Sequence, residues 1–192
     1  MNIKALTLGL AVATAATFTF AKPVAYTIDP THTATVFSWN HFGFSTPSGN
    51  FSDITGTINV DNEKPANSSV EVSIPLSSVN TNVSALDKEF QEEAWFNAAQ
   101  YPNITFKSTK VETKDKKHFK ISGNLTVKGV TKPVVLDATL NKQGAHPMTK
   151  AQSIGFNATT SFSRSAFGIA NYVPNVGDKI TVNITTEASV KQ

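Results

Sequence analysis

Apolar and polar residues alternate one by one along most of this 192-residue chain. In the segment 69–76, the apolar residues Val70, Val72, Ile74 and Leu76 occupy every second position. Because successive side chains of a β-strand point to opposite faces, such a segment is predicted to form a strand with one buried face. The same alternation occurs in the segments 35–41, 54–60, 104–110, 119–127, 134–140, 154–162 and 180–188. The sequence therefore predicts about eight strands.

The composition also favours strands over helices. The chain contains 13 Phe residues and is rich in Val, Ile and Thr, residue types that fit a pleated sheet. Hydrophobic residues make up 40% of the chain and charged residues 16%, which is too apolar for a disordered chain and too sparsely charged for a coiled coil. The length leaves room for one compact domain.

One segment departs from the alternation. Residues 84–87 have the spacing of a capping box, with Asp in place of the usual Glu or Gln. Leu86, Phe90 and Ala94 follow at near-helical spacing, and Pro102 ends the segment. The pattern predicts one helix of about 12 residues.

Antiparallel strands with one inserted helix are best arranged as a closed barrel. Closure removes the exposed strand edges, which would otherwise pair with other chains. The interior of an eight-stranded barrel is just wide enough to hold one small ligand. The predicted fold class is therefore all-β, a closed antiparallel barrel of eight strands with one inserted α-helix. A two-sheet sandwich is the alternative that the pattern leaves open.

The first 21 residues have the features of a secretory signal peptide. Lys4 supplies a positive charge, residues 5–20 are uncharged and rich in Ala and Leu, and the small residues Thr19 and Ala21 define a cleavage site. The uncharged run is shorter than the ~20 residues that span a bilayer, which disfavours a membrane anchor. We therefore expect a mature domain of residues 22–192 in a bacterial periplasm.

Charge and cysteine content exclude several classes of protein. The chain carries 17 Lys and Arg against 14 Asp and Glu, but the basic residues are scattered Lys, and Arg164 is the single Arg. Nucleic-acid binding requires a basic stripe with stacking aromatic residues, so no nucleic acid is predicted as a partner. The absence of Cys excludes disulfides, a lipidated Cys and thiolate chemistry.

The sequence carries no signature of catalysis or of metal binding. The four His residues, at positions 32, 41, 118 and 146, lack the spacing of a zinc site. There is no Gly-x-Ser-x-Gly motif and no Gly-rich phosphate loop. The adjacent Glu92 and Glu93 do not face each other on a helix. We therefore predict no catalytic residue, no metal and no cofactor.

Aromatic residues are in surplus for so small a domain, and two polar residues accompany them. A well-filled core would explain any single aromatic residue, but together they suit a wide apolar pocket. His41 ends the alternating run of Phe37 and Trp39, so it is either a polar group inside this pocket or a satisfied core histidine. Arg164 either offers a planar fork to a phosphate or quinone headgroup or pairs with an acid such as Asp29 or Asp87.

Five stretches of the mature chain have a distinctive order and spacing. They are Tyr26-Thr27-Ile28-Asp29 with His32, Phe37, His41 and Gly43; Gly49-x-Phe51 leading to Asp61; residues 87–106, which include Trp95-Phe96-Asn97; residues 123–133; and Arg164-Ser165-Ala166-Phe167-Gly168. Through them the chain resembles the YceI-like family of bacterial periplasmic polyisoprenoid-binding proteins over nearly its whole length. Three positions depart from the family pattern and remove charge, namely Leu86, Asn97 and Ala166.

The resemblance implies a fold and a function. The fold would be a lipocalin-like extended antiparallel barrel whose pore takes a long isoprenoid chain, such as a prenyl quinone or prenyl phosphate. The protein would then be a binding protein for carriage or sequestration and not an enzyme. An enzyme acting on an amphiphilic lipid, with His41 as general base, and a protein-interaction module are the alternatives, and a homodimer is left open.

The predicted ligand-binding residues combine the aromatic residues with the two polar groups and one aliphatic residue. They are Phe37, Trp39, His41, Phe42, Phe51, Trp95, Phe96, Phe106, Leu125, Phe156, Phe162, Arg164 and Phe167. The isoprenoid tail is expected to supply most of the affinity, and the polar groups to discriminate between headgroups.

Overall fold

The computed structural model describes residues 22–191, so the predicted signal peptide of residues 1–21 lies outside the described residues. The described chain folds into ten strands and one α-helix. The strands are β1 (Val24–Ile28), β2 (Ala34–Ser38), β3 (Ser48–Phe51), β4 (Thr55–Val60), β5 (Ser69–Pro75), β6 (Asn103–Thr113), β7 (His118–Val127), β8 (Val130–Ala145), β9 (Gln152–Ser163) and β10 (Lys179–Ser189). The helix, α1, spans Ser84–Gln91.

Eight of these strands form a closed antiparallel ring. Its order is β1-β4-β5-β6-β7-β8-β9-β10, and β10 pairs again with β1. Strand β10 makes the closure possible because it is long enough to pair with two short strands on one edge. Its C-terminal end pairs with β1, and its N-terminal half pairs with β2, which in turn pairs with β3. The predicted closed eight-stranded barrel is confirmed, and the sandwich alternative is wrong.

Strands β1 and β3 were not predicted, and local backbone features explain why. Between β1 and β2 the chain makes a single 3-10 turn at Pro30–His32. The Asp29 carboxylate accepts a hydrogen bond from the Thr31 amide at 2.9 Å and caps this turn. The turn leaves β1 with only five residues, of which Tyr26 and Ile28 are buried, too few to show a clear alternation. Strand β3 has four residues, and Gly49 among them has no side chain to contribute to a pattern.

The helix differs from the prediction in its length and in its cap. It has eight residues instead of about twelve, because Glu92 adopts an extended backbone with ψ 160° and the chain continues in turns. Ser84 is the first helical residue and not the cap. The Asp87 carboxylate binds the preceding segment, where it accepts from the amide and the hydroxyl of Thr81 at 2.7 and 2.6 Å. The predicted capping box is therefore wrong.

The connections between strands lie at two opposite ends of the barrel, as antiparallel order requires. The helix end carries the loop 39–47, the segment 76–102 with α1, the turn 128–129 and the segment 164–178. The far end carries the turns 61–68, 114–117 and 146–151, together with both ends of the described chain. Two clusters of buried residues correspond to this division. The larger one extends through the barrel to the helix end, and the smaller one lies at the far end.

Candidate functional site

A cavity of about 400 Å³ lies inside the barrel and is lined almost entirely by apolar side chains. All ten strands and α1 contribute to the lining. On β10 the lining residues are Ile180, Val182, Ile184 and Thr186, so the face that the alternation predicts to be buried is the face that encloses the cavity. The barrel interior is therefore only partly filled by its own side chains.

The cavity extends along the barrel and is closed at the far end. Ile28 and Thr186 line it near that end. Beyond them, Tyr26 and Ile154 are 3% and 2% exposed and pack together in the smaller cluster. The hydroxyl of Tyr26 accepts a hydrogen bond from Gln143 at 3.0 Å. Of the described lining residues, His41 and Tyr172 are exposed to solvent, and both lie at the helix end. The cavity therefore opens toward the helix end.

Two rings of the cavity wall lie directly over glycines. A Cβ atom at Gly49 would lie 2.7 Å from Cζ of Phe37, on the neighbouring strand, and a Cβ atom at Gly123 would lie 2.3 Å from Cζ of Phe106. Contacts this short do not occur between real side chains. Each ring therefore occupies the space that the Cβ atom of any residue other than glycine would need. The glycines therefore make room beside the strands for the Phe37 and Phe106 rings.

The helix places an aromatic group at the open end. Phe90 of α1 is 7% exposed, and its ring centroid lies 5.2 Å from that of Trp95 and 6.1 Å from that of Trp39. Phe37 and Phe96 complete its aromatic neighbours at 6.3 and 5.7 Å. Aromatic pairs at these distances attract each other by about 0.5–1.5 kcal/mol beyond the burial of their area. The group narrows the opening of the cavity.

Trp95 connects the two charged side chains at this end. Its indole N–H donates to the carboxylate of Glu89 at 3.0 Å. The guanidinium of Arg164 lies 5.9 Å from the centroid of its ring, within the range of a cation–π contact. Tyr172, which is 65% exposed, has its ring centroid 6.3 Å from that of Trp95. Both Glu89 and Arg164 line the cavity.

Arg164 is buried, and its hydrogen bonds go to the backbone. It is 7% exposed. Its guanidinium donates four hydrogen bonds of 2.8–3.0 Å to carbonyl oxygens of the segment that leads to β10. The accepting residues are Ile169, Asn171, Val176 and Gly177. Burial lowers the pKa of Arg164, and the nearby Asp178 opposes this shift. The predicted ion pair with Asp29 or Asp87 is wrong, because those carboxylates bind Thr31 and Thr81.

His41 lies at the rim of the opening. It lines the cavity but is exposed to solvent, so it is neither deep inside the pocket nor a core histidine. Its backbone amide donates to Ser45 at 2.9 Å in a tight loop. Phe42 follows with a left-handed backbone, φ 54°, which turns its side chain away from the barrel. Phe42 is 50% exposed and stacks edge-on against His41, outside the cavity lining.

The structure thus brings together all but one of the predicted ligand-binding residues. Phe42 is the exception, because the left-handed turn breaks the alternation that would have directed it inward. Those that line the cavity are Phe37, Trp39, His41, Phe51, Trp95, Phe96, Phe106, Leu125, Phe156, Phe162, Arg164 and Phe167. Their role in binding a ligand stays a prediction.

Sequence reasoning missed several lining residues at the helix end. Phe90 could have been found from its spacing to Leu86, which places both on one face of α1. Glu89 gave no such signal, because the interaction that turns it toward the cavity is with Trp95, beyond the end of the helix. Tyr172 and Val176 lie in an irregular segment without periodicity, so only the tertiary structure shows that they line the opening.

Other ionisable groups lie outside the cavity. His32 and Asp29 form an exposed pair at 2.8 Å, and His118 and Asp115 form another at 2.7 Å. Among residues 22–191, no group of three or more His, Asp or Glu side chains is placed to hold a metal ion. No helix in the same range has the length and hydrophobicity to cross a bilayer.

The fold and the cavity define a class of protein: a small, closed antiparallel barrel that encloses an apolar interior open at one end. The sequence matches the YceI-like domain over residues 26–188. The chain therefore belongs to the YceI-like family.

Individual relatives agree with this assignment. Protein YceI of Escherichia coli O157:H7 is 36% identical over 156 residues, which cover 81% of each chain. The crystal structure of the Campylobacter jejuni YCEI protein has a TM-score of 0.71 and 32% identity, covering 80% of this chain and 90% of that one. A polyisoprenoid binding domain from Saccharophagus degradans has a TM-score of 0.67 at 13% identity, covering 88% and 99%. At that identity the last comparison supports the fold alone.

Proposed function

We propose that this protein binds a long-chain isoprenoid lipid in the barrel cavity and carries or sequesters it in the periplasm. The observation that carries the proposal is the cavity itself, which is apolar along its length and has its two charged lining residues, Glu89 and Arg164, at the open end. A hydrocarbon tail would occupy the closed part of the cavity. The headgroup would remain beside Trp95 and the rim.

The apolar lining is sufficient to explain binding without a strong polar contact. Burial of one methylene group contributes about 0.8 kcal/mol, so ten buried carbons supply roughly 8 kcal/mol before entropic costs. That free energy corresponds to a Kd of about 1 μM. The Saccharophagus degradans domain, which has the same fold, is described as polyisoprenoid-binding, and the proposal extends this class of ligand to the present chain.

A binding function also fits the polar groups better than catalysis does. A general base needs a partner that orients it and a substrate atom within about 3 Å. His41 is exposed at the rim, and the structure shows no side chain of residues 22–191 that hydrogen-bonds its ring. Arg164 is engaged by backbone carbonyls and cannot assist it.

Native mass spectrometry of the protein from its own periplasmic fraction tests the proposal. The expected result is a complex with one co-purified lipid, which dissociates to an isoprenoid fragment in tandem spectra. Protein that carries no lipid and turns over an added amphiphile would contradict it, as would a stoichiometric polypeptide in place of the lipid. The intact mass of the same sample tests the location. A chain that begins at Lys22 supports export, and a mass that retains residues 1–21 contradicts it.

A further inference from the structure

The charged groups at the open end bear on the kind of headgroup that the cavity accepts. Among residues 22–191, one carboxylate side chain and one guanidinium side chain line the cavity, those of Glu89 and Arg164. They contact the same residue from two sides, since the Glu89 carboxylate accepts from the Trp95 indole N–H and the Arg164 guanidinium lies over the Trp95 ring. A headgroup at this position would therefore meet both charges.

Arg164 has little capacity left to bind an anion. Recognition of a phosphate by arginine normally uses two parallel N–H groups of the guanidinium fork. Four of the five N–H groups of Arg164 already donate to carbonyl oxygens, including both on Nη2. A phosphate bound by two N–H groups of this guanidinium would have to break at least one of these bonds, which also hold the segment between Ile169 and Gly177 in place.

Glu89 has the opposite property, because part of its carboxylate remains available as an acceptor. Its Oε1 atom accepts from Trp95, and the structure shows no second donor to this carboxylate from residues 22–191. An ionised carboxylate repels a phosphate strongly where water is partly excluded. It accepts a hydrogen bond from a hydroxyl group, and such charge-assisted bonds are stronger than neutral ones.

We propose that Glu89 selects the headgroup of the lipid. The cavity takes an isoprenoid lipid that ends in an uncharged hydroxyl group, which is a long-chain alcohol or a hydroquinone, and it rejects the corresponding phosphate. This inference rests on the proposed function, because it concerns the same cavity.

The experiment compares two lipids that differ only in the headgroup, geranylgeraniol and geranylgeranyl monophosphate. Binding to the lipid-free protein can be followed by its own fluorescence, because both Trp residues of the chain, Trp39 and Trp95, line the cavity. The wild-type protein is expected to bind the alcohol at least about tenfold more tightly. Glu89→Gln keeps an oxygen for the Trp95 indole but removes the charge. It should bind the phosphate more tightly and so lower the ratio of the two dissociation constants, phosphate over alcohol, by about tenfold.

Glu93→Gln is the matched control, because Glu93 is exposed, lies outside the cavity lining and carries the same charge. It should leave the ratio unchanged. An electrostatic origin also predicts that raising the salt concentration from about 0.02 to about 0.5 M narrows the wild-type ratio. This second measurement decides the question if Glu89→Gln fails to fold.

Three results would overturn the inference. They are equal or tighter wild-type binding of the phosphate, a ratio that Glu89→Gln leaves unchanged in a folded protein, and a wild-type ratio that is insensitive to salt. Binding of neither lipid by the wild-type protein would contradict the proposed function and this inference with it. Equally tight binding of both lipids would leave the proposed function intact. It would overturn only the inference that Glu89 selects the headgroup.

Discussion

Asn171 donates its side-chain amide to the carbonyl oxygen of Ala94 at 3.1 Å, while its own carbonyl accepts from the guanidinium of Arg164 at 2.8 Å. The first bond joins the segment 164–178 to the segment 76–102 across the open end of the barrel, and the second, which lies within the segment 164–178, holds Asn171 in position to make it. The two segments are far apart in sequence, and both contribute to the cavity lining through Trp95 and Tyr172. Arg164 therefore maintains the shape of the opening through the backbone.

Replacement of Arg164 by Lys should lower stability without altering ligand preference. Lysine keeps the charge but offers a single ammonium group, which cannot reach four carbonyls in different directions. We expect a loss of about 2–4 kcal/mol in the free energy of unfolding, seen as a fall of roughly 4–16 °C in Tm. The measurement is calorimetry beside a titration with two lipids of different headgroup. A normal Tm with a changed preference would show instead that Arg164 contacts the headgroup.

Replacement of Gly49 by Ala should narrow the cavity. The new Cβ would lie 2.7 Å from Cζ of Phe37, so this ring would have to shift, and we expect it to shift into the cavity that it lines. We expect a loss of about 1–3 kcal/mol in binding of a long isoprenoid, measured by titration calorimetry. Gly155→Ala is the control, because a Cβ there meets its nearest atom at an ordinary 3.6 Å. Equal effects of the two changes would contradict the supporting role of Gly49.

A charge in the cavity wall should abolish lipid retention. Phe106 is 6% exposed and lines the cavity, so Phe106→Asp would place an ionised group in an apolar site. We expect a loss of at least ~3 kcal/mol, or about a hundredfold in Kd. Phe44→Asp is the control, since Phe44 is 93% exposed. Circular dichroism must be recorded beside the binding assay, because unfolding of Phe106→Asp without selective loss of lipid would indicate a purely structural role.

The pair of Asp29 and His32 should make the stability of the turn between β1 and β2 depend on pH. The hydrogen bond from His32 is the main cause that lowers the pKa of Asp29 to about 2, and the same bond raises the pKa of His32. The contribution of Asp29 to stability is thus present above pH 3.8 and lost as the pH falls toward 2. The contribution of His32 to stability is complete below pH 6.5 and is lost as the pH rises through its raised pKa.

NMR titration of the His32 ring tests this pair. In Asp29→Asn the pKa of His32 should fall toward its ordinary value of about 6.5. The control is Asp115→Asn, because Asp115 pairs with His118 three residues later, as Asp29 does with His32. This change should leave the titration of His32 unaltered. A His32 titration that Asp29→Asn does not alter would show that the hydrogen bond is not the cause of the shift.

The alternation in sequence was sufficient to predict the barrel and the buried faces of its longer strands. Residues such as Val182 and Ile184 occupy every second position, and burial of one strand face is the physical property that this pattern records. It could not predict β1 and β3, because a capped turn and a glycine interrupt the pattern over very few residues. Nor could it predict the length of α1, which is limited by the backbone of Glu92.

The polar part of the site was harder to predict. The sequence marks Arg164 as the single arginine, but its partners are backbone carbonyls, which every residue carries and no pattern distinguishes. Phe42 has the residue type of a lining residue, yet its left-handed backbone directs it outward. Glu89 faces the cavity because of one hydrogen bond to Trp95, a contact that depends on the turns after α1.

The far end of the barrel carries both ends of the described chain, whereas the cavity opens at the helix end. A linker joined after residue 191 would therefore hold the molecule on a solid support with its opening directed toward the flowing solution. Lipid exchange could then be recorded in real time on a sensor chip, with no obstruction by the attachment. The same geometry would suit a column that extracts isoprenoid lipids from detergent solutions and releases them when the barrel unfolds.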